Sequence, residues 1–79
     1  MSAELELNDV REKLSSNIIK LRKAKGLAQE RLGLDAGVDR TVVSKIERKI
    51  ANPSLEVLVR LAKTLDVKVG DLFLADEKG

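Results

Sequence analysis

Ala36-Gly37-Val38-Asp39-Arg40-Thr41-Val42-Val43-Ser44-Lys45-Ile46-Glu47-Arg48 is the stretch whose reading decides the fold. Gly37 accommodates a left-handed turn at no steric cost. Asp39, two residues on, is a preferred N-cap, so a helix is expected over Arg40 to Arg48. Val38 just before that cap can meet Val43 at the fourth helical position, an apolar staple that fixes the entry angle. Upstream, Gln29 to Ala36 reads as a short helix burying Leu32 and Ala36. Two short helices joined through Gly37-Val38-Asp39 make a helix-turn-helix over roughly Gln29 to Arg48.

The flanks are helical as well. Val10, Leu14, Ile18 and Leu21 recur at helical spacing, one apolar stripe of a first helix. Asn8 or Asp9 can cap its start, and Gly26 sits where it should stop. Asn52-Pro53-Ser54 reads as a loop ending in a cap, after which Leu55, Leu58, Leu61, Ala62 and Leu65 form the stripe of a fourth helix. A short fifth helix over about Val69 to Leu74 offers Leu72 and Phe73. The expectation is therefore all-α: a compact single domain over 1–79, ordered from about 8 to 74, with frayed ends at 1–7 and 75–79.

Composition removes several function classes. The 79 residues include no cysteine and no histidine, which excludes disulfides, Cys/His zinc sites and histidine-based acid–base or triad chemistry. The acids are scattered rather than clustered at metal-loop spacing. Phe73 is the one aromatic residue, too few for the stacking platforms that bind single strands or RNA. No glycine-rich phosphate loop and no nucleophile–base pair is present, so no enzyme and no cofactor is expected. Nothing resembles a leader or a bilayer-spanning run, and a cytoplasmic location is the expectation.

Net charge is only +2, but its distribution is uneven. Residues 1–13 carry four acids against two bases, and residues 14–34 carry five bases against Glu30 alone. Residues 35–53 add Arg40, Lys45, Arg48 and Lys49 against three acids. A basic middle between acidic ends suits a one-sided phosphate-binding surface. A helical wheel sharpens this. With Val43 pointing inward, Ile46 and Glu47 fall on its side, while Thr41, Ser44, Lys45 and Arg48 share the outer face and Arg40 leads. That face is polar and basic and carries no acid.

Three runs carry a resemblance to a known family: Leu21-Arg22-Lys23-Ala24-Lys25-Gly26-Leu27-Ala28-Gln29-Glu30, the stretch Ala36 to Arg48, and Asn52-Pro53-Ser54-Leu55. Together they resemble phage-repressor-like helix-turn-helix domains of the Cro/cI or XRE type, over roughly residues 14–74. Asp39-Arg40-Thr41 with Ser44 and Ile46-Glu47-Arg48 is also similar to controller proteins of restriction–modification systems. The resemblance implies a five-helix lambda-repressor-like fold and sequence-specific binding of double-stranded DNA by a homodimer on a pseudo-palindromic operator, as a repressor or autoregulator.

Residue roles follow from the same resemblance. Arg40, Thr41, Ser44 and Lys45 occupy base-reading positions; Arg40 suits guanine and the Thr41 methyl suits thymine. Ser44 alternatively only permits close approach, and Val42 either meets a thymine methyl or packs on the second helix. Gln29, Arg48, Lys49 and, secondarily, Arg22 are the expected phosphate contacts, with a plain helix-start polar residue the alternative for Gln29 and simple solvent exposure the alternative for Lys49. Arg22 and Glu47 match a salt bridge tying the first helix to the third. Leu72 and Phe73 are the expected self-contact, with core filling as the alternative for Phe73. A different class of function, an antitoxin-like or adaptor module that binds a partner protein, would use residues 1–13 with Leu5, Leu7 and Val10.

Three positions depart from the family pattern. Ala28 stands where a Thr or Ser cap is usual, Gly33 replaces an alanine inside the second helix, and Lys49 replaces a glycine after the third. On helix propensity alone Gly33 costs about 1 kcal/mol.

Overall fold

A computed structural model describes residues 2–75. Four α-helices, α1 (Ala3–Ala24), α2 (Gln29–Ala36), α3 (Arg40–Glu47) and α4 (Leu55–Thr64), are followed by a single 3₁₀ turn, Val69–Phe73. The all-α expectation holds. The fifth helix is this 3₁₀ turn rather than an α-helix, too short at five residues to settle into i→i−4 pairing.

The start of α1 differs from expectation. Residues 3–7 are helical, not frayed, because Ser2 Oγ accepts from the Leu5 amide at 3.2 Å. Glu4 and Glu6 then sit favourably in the first turn, at the positive end of the helix dipole. Asn8 and Asp9 serve as interior residues: Asn8 takes a bond from Arg11, and Asp9 pairs with Lys13 at 2.9 Å. The frayed C-terminal end expected at 75–79 lies outside the described residues, apart from Ala75.

The core is formed by Leu14 and Ile18 of α1, Leu32 and Ala36 of α2, Val38, Val43 and Ile46 around α3, Leu58, Leu61, Ala62 and Leu65 of α4, and Leu72. Burying each large aliphatic side chain contributes about 1.5–3 kcal/mol, set against the entropy of ordering it. α2 packs on α3 and α4, and α1 packs on α3 and the 3₁₀ turn. Two expected core positions fall outside. Leu55, at the first helical position of α4, is 77% exposed, because none of the described residues covers that side of the first turn. Val10 is half-exposed and joins Leu7, Leu14, Leu58 and Phe73 in lining a shallow apolar groove.

Two buried polar side chains of α1 hold the assembly together. Ser15 Oγ donates to the Glu47 carbonyl at 2.7 Å, satisfying an otherwise orphaned group at the end of α3. Asn17 Nδ2 donates to the carbonyls of Lys13, Leu72 and Leu74, each at 2.9 Å. Neither contact follows from periodicity, which marks positions 15 and 17 only as flanks of the apolar stripe.

All four helices end in the same way. In each, an amide bonds back to a carbonyl five residues earlier: Leu27 to Arg22, Val38 to Gly33, Ile50 to Lys45 and Val67 to Ala62, at 2.8–3.0 Å. The residue before each of those amides is left-handed: Gly26, Gly37, Lys49 and Asp66, with φ between 62° and 69°.

Candidate nucleic-acid interface

The turn between α2 and α3 is built by close approach. A Cβ on Gly33 would stand 2.5 Å from the Val38 carbonyl oxygen and 3.3 Å from the Arg40 amide nitrogen. The missing side chain therefore lets α2 sit against the turn, a reason that propensity does not reveal. Asp39 caps α3, its Oδ1 accepting from the Thr41 amide at 2.7 Å. That bond to Thr41 holds the Asp39 carboxyl below its usual pKa range. Val38 and Val43 are both buried on either side of the cap, as the staple requires.

Beneath the turn, Arg22 and Glu47 meet as expected. Arg22 Nε donates to Glu47 Oε2 at 2.6 Å, Nη2 donates to Oε1 at 3.0 Å, and Nη1 donates to the Leu27 carbonyl at 2.8 Å. The two side chains are 12% and 7% exposed. The hydrogen bond donated to Glu47 raises the Arg22 pKa, burial opposes that shift, and the charge of Glu47 adds to it. Gln29 joins this cluster, its Nε2 donating to Glu47 Oε1 at 2.9 Å. So in the free protein one amide hydrogen of Gln29 and most of the Arg22 fork are already engaged. Ala28 offers no side-chain cap, and the amides opening α2 lack that partner.

On the outer face of α3, Arg40, Thr41 and Lys45 are exposed and Ser44 is half-buried. Arg48 is exposed, with Nε 3.3 Å from Ser44 Oγ. Val42 is half-buried against the core, which favours the packing alternative. Lys49 is exposed and held at φ 68°, confirming the glycine-like backbone at that position. The wheel thus placed the four base-reading candidates together, with Arg48 beside them. Gln29 and Arg22 lie one layer inward, joined through Glu47.

Leu72 and Phe73 part company. The Leu72 side chain is fully buried, so it fills the core instead of offering a surface for self-contact. The reason is Asn17, whose bonds to the Leu72 and Leu74 carbonyls turn this segment inward at position 72. Phe73 is half-buried beside the groove, and Leu74 is 58% exposed. Leu74 is an exposed hydrophobic residue beside Phe73 that the sequence reading did not single out; a hydrophobic residue flanking a 3₁₀ turn carries no periodic signal.

Known proteins share this fold. The sequence profile of the helix-turn-helix family matches residues 18–72. Control protein C.SmaI of Serratia marcescens is 35% identical over 81 residues, which span 98% of this chain and 96% of that protein. The crystal structure of the restriction–modification controller protein C.AhdI from Aeromonas hydrophila superposes with a TM-score of 0.73 at 41% identity, covering 77% of this chain and 92% of that one. A hypothetical transcription factor from Neisseria, NHTF, superposes with a TM-score of 0.84 at 36% identity, covering 91% of this chain and 81% of that one. With the turn, the cap and the polar outer face of α3 in place, the chain belongs to the Cro/cI (XRE) type of helix-turn-helix proteins, a family of DNA-binding transcription regulators that includes restriction–modification controllers.

Proposed function

We propose that this chain binds a pseudo-palindromic operator as a homodimer, inserting α3 into the major groove and acting as a repressor or autoregulator such as a restriction–modification controller. The observation that carries this is the outer face of α3, where Arg40, Thr41 and Lys45 are exposed beside Ser44 with no acid among them. Arg40 and Lys45 can donate to guanine acceptors, Ser44 to either purine or pyrimidine edges, and Thr41 can cover a thymine methyl. Arg48, Lys49 and the N-terminus of α2 with Gln29 grip phosphates; Arg22 supports them from behind Glu47 and leans on a phosphate through its remaining N–H groups.

Self-contact runs through Phe73 and the exposed Leu74. The protein measures 37 × 26 × 19 Å, a size compatible with half-sites about 34 Å apart, one turn of duplex. The regulator is not an enzyme, needs no cofactor and works in the cytoplasm, where its operator is; no described helix is long and apolar enough to cross a membrane. Footprinting the full chain on the DNA upstream of its own gene, with sedimentation of the free and bound protein, tests this reading. Two symmetric protected half-sites and a two-protomer complex are expected; protection without symmetry, or a monomer in both states, overturns it.

A second reading has its own support. Leu5 is 60% exposed, and Leu7 and Val10 are half-exposed, on the part of α1 that precedes the family match at residue 18. An antitoxin-like or adaptor role would use these residues on a partner protein. A neighbouring gene encoding a toxin would favour it, and one encoding a restriction enzyme would favour the controller.

A further inference from the structure

The segment that follows the reading helix, Ile50 to Ser54, has little backbone support. Ile50 closes the end of α3, and Ser54 caps α4, its Oγ accepting from the Val57 amide at 3.1 Å. Between them, Ala51 and Asn52 take part in no backbone–backbone hydrogen bond among the described residues. Such a stretch is free to open locally unless side chains hold it.

One side chain does. Arg11 Nη2 donates to Asn52 Oδ1 at 2.6 Å and Nε to the Ala51 carbonyl at 3.3 Å, reaching across 40 residues of sequence. Arg11 is itself steadied from its own helix, Nη1 donating to Asn8 Oδ1 at 3.3 Å. Asn8 and Arg11 both precede residue 18, where the family match begins. The segment they hold lines one groove with Val42 and Lys45 of α3.

We propose that Arg11 is a positioning residue for DNA binding: from the N-terminal part of α1 it fixes Ala51 and Asn52 beside Lys45 without touching DNA. A planar fork can span a carbonyl and a carboxamide at once, which an ammonium cannot reproduce. This rests on the reading that the Lys45 side of the protein faces DNA.

The test compares full-length wild type, Arg11→Ala, Arg11→Lys and Lys45→Ala, at a temperature where each is folded by circular dichroism. The probe is a duplex selected by the wild-type chain from a random-sequence pool. Both Arg11 variants should bind on the order of tenfold more weakly, with the salt slope unchanged and faster hydrogen exchange at the adjoining Ile50 amide, which donates to the Lys45 carbonyl at 3.0 Å. Wild-type affinity in Arg11→Lys would show that charge alone suffices and overturn the proposal. So would a salt slope lower by about one in Arg11→Ala, the mark of a direct phosphate contact, or unchanged affinity in both Arg11 variants. Lys45→Ala separates the two levels. If it binds like wild type, the DNA-facing reading falls and takes the proposal with it; if it weakens binding while the Arg11 variants do not, the proposal falls alone.

Discussion

The guanidinium of Arg22 meets the carboxylate of Glu47 in a two-pronged contact, 2.6 and 3.0 Å long, that joins α1 to α3 across 25 residues of sequence. Removing one partner of a buried pair strands the other, at a cost of about 3–5 kcal/mol. Glu47→Ala should therefore consume much of the stability of a domain this small, and Glu47→Gln should cost less because an acceptor remains. Urea unfolding of both variants measures this. A loss below about 1 kcal/mol for Glu47→Ala would assign the pair the value of an ordinary surface bridge.

Reading and gripping should separate on one panel of single-base operator variants. Arg40→Ala should cost about 1–3 kcal/mol on the best site and relax preference at one base pair per half-site. Gln29→Ala should weaken all sequences alike, because a phosphate contact carries no sequence information. Its salt slope should hold, since a neutral amide releases no counterion. An even loss across the panel for Arg40→Ala would move the reading role to Thr41, Ser44 and Lys45.

Gly33→Ala puts two effects in opposition. Helix propensity favours alanine by about 1 kcal/mol. The added Cβ, however, would lie 2.5 Å from the Val38 carbonyl, and backbone cannot swing aside as a side chain can. Overpacking of this kind costs about 1–3 kcal/mol, so the net effect should be destabilising. The sign of the change in denaturation midpoint decides it.

Ala28→Thr should stabilise by about 0.5–2 kcal/mol, supplying the oxygen that the opening amides of α2 lack. The backbone of Ala28 is already extended, at φ −73° and ψ 162°, as a cap requires. An unchanged thermal midpoint would show that Gln29 and Glu47 already set the start of this helix.

Acid should loosen α3 through Asp39. Its pKa is lowered in the folded state by the bond from the Thr41 amide. A depressed carboxyl contributes stability that is complete above its unfolded value near 3.9 and is lost as pH falls through the lower folded value. Stability attributable to this group should be flat from pH 7 to 5 and decline below about pH 4. Asp39→Asn keeps an acceptor without the charge, and its stability curve should fall less steeply in that range. Parallel curves for the two proteins would remove Asp39 as a source of acid sensitivity.

Local rules explain why some of this was readable in advance. Asp39, Gly37 and the Val38–Val43 staple act within a few residues, where cap chemistry and turn geometry are nearly sufficient. Glu47 was readable because the wheel put it on the inner side of its helix and the family resemblance supplied Arg22 as its partner. The start of α1 was not, since Asn8 and Asp9 look like caps but are tolerated inside a helix once Ser2 has begun it. Gly33 reads as a propensity defect until the Val38 carbonyl is seen opposite it. Arg11, Ser15 and Asn17 are placed by contacts over 32 to 57 residues, which no periodicity encodes. Leu72 and Phe73 are neighbours whose facing depends on one of those contacts.

Ser15 and Asn17 stand two residues apart on α1, one bonded to the end of the reading helix and the other to the turn that bears Phe73. One helix therefore contacts both the helix proposed to read DNA and the turn proposed to join the protomers. In the proposed dimer joined through Phe73 and Leu74, the distance between the two α3 helices would be set through α1. On the proposed dimer such a regulator would be a ruler: inserting one base pair between half-sites rotates the second site by about a tenth of a turn, and the Ser15 and Asn17 contacts would oppose a matching shift.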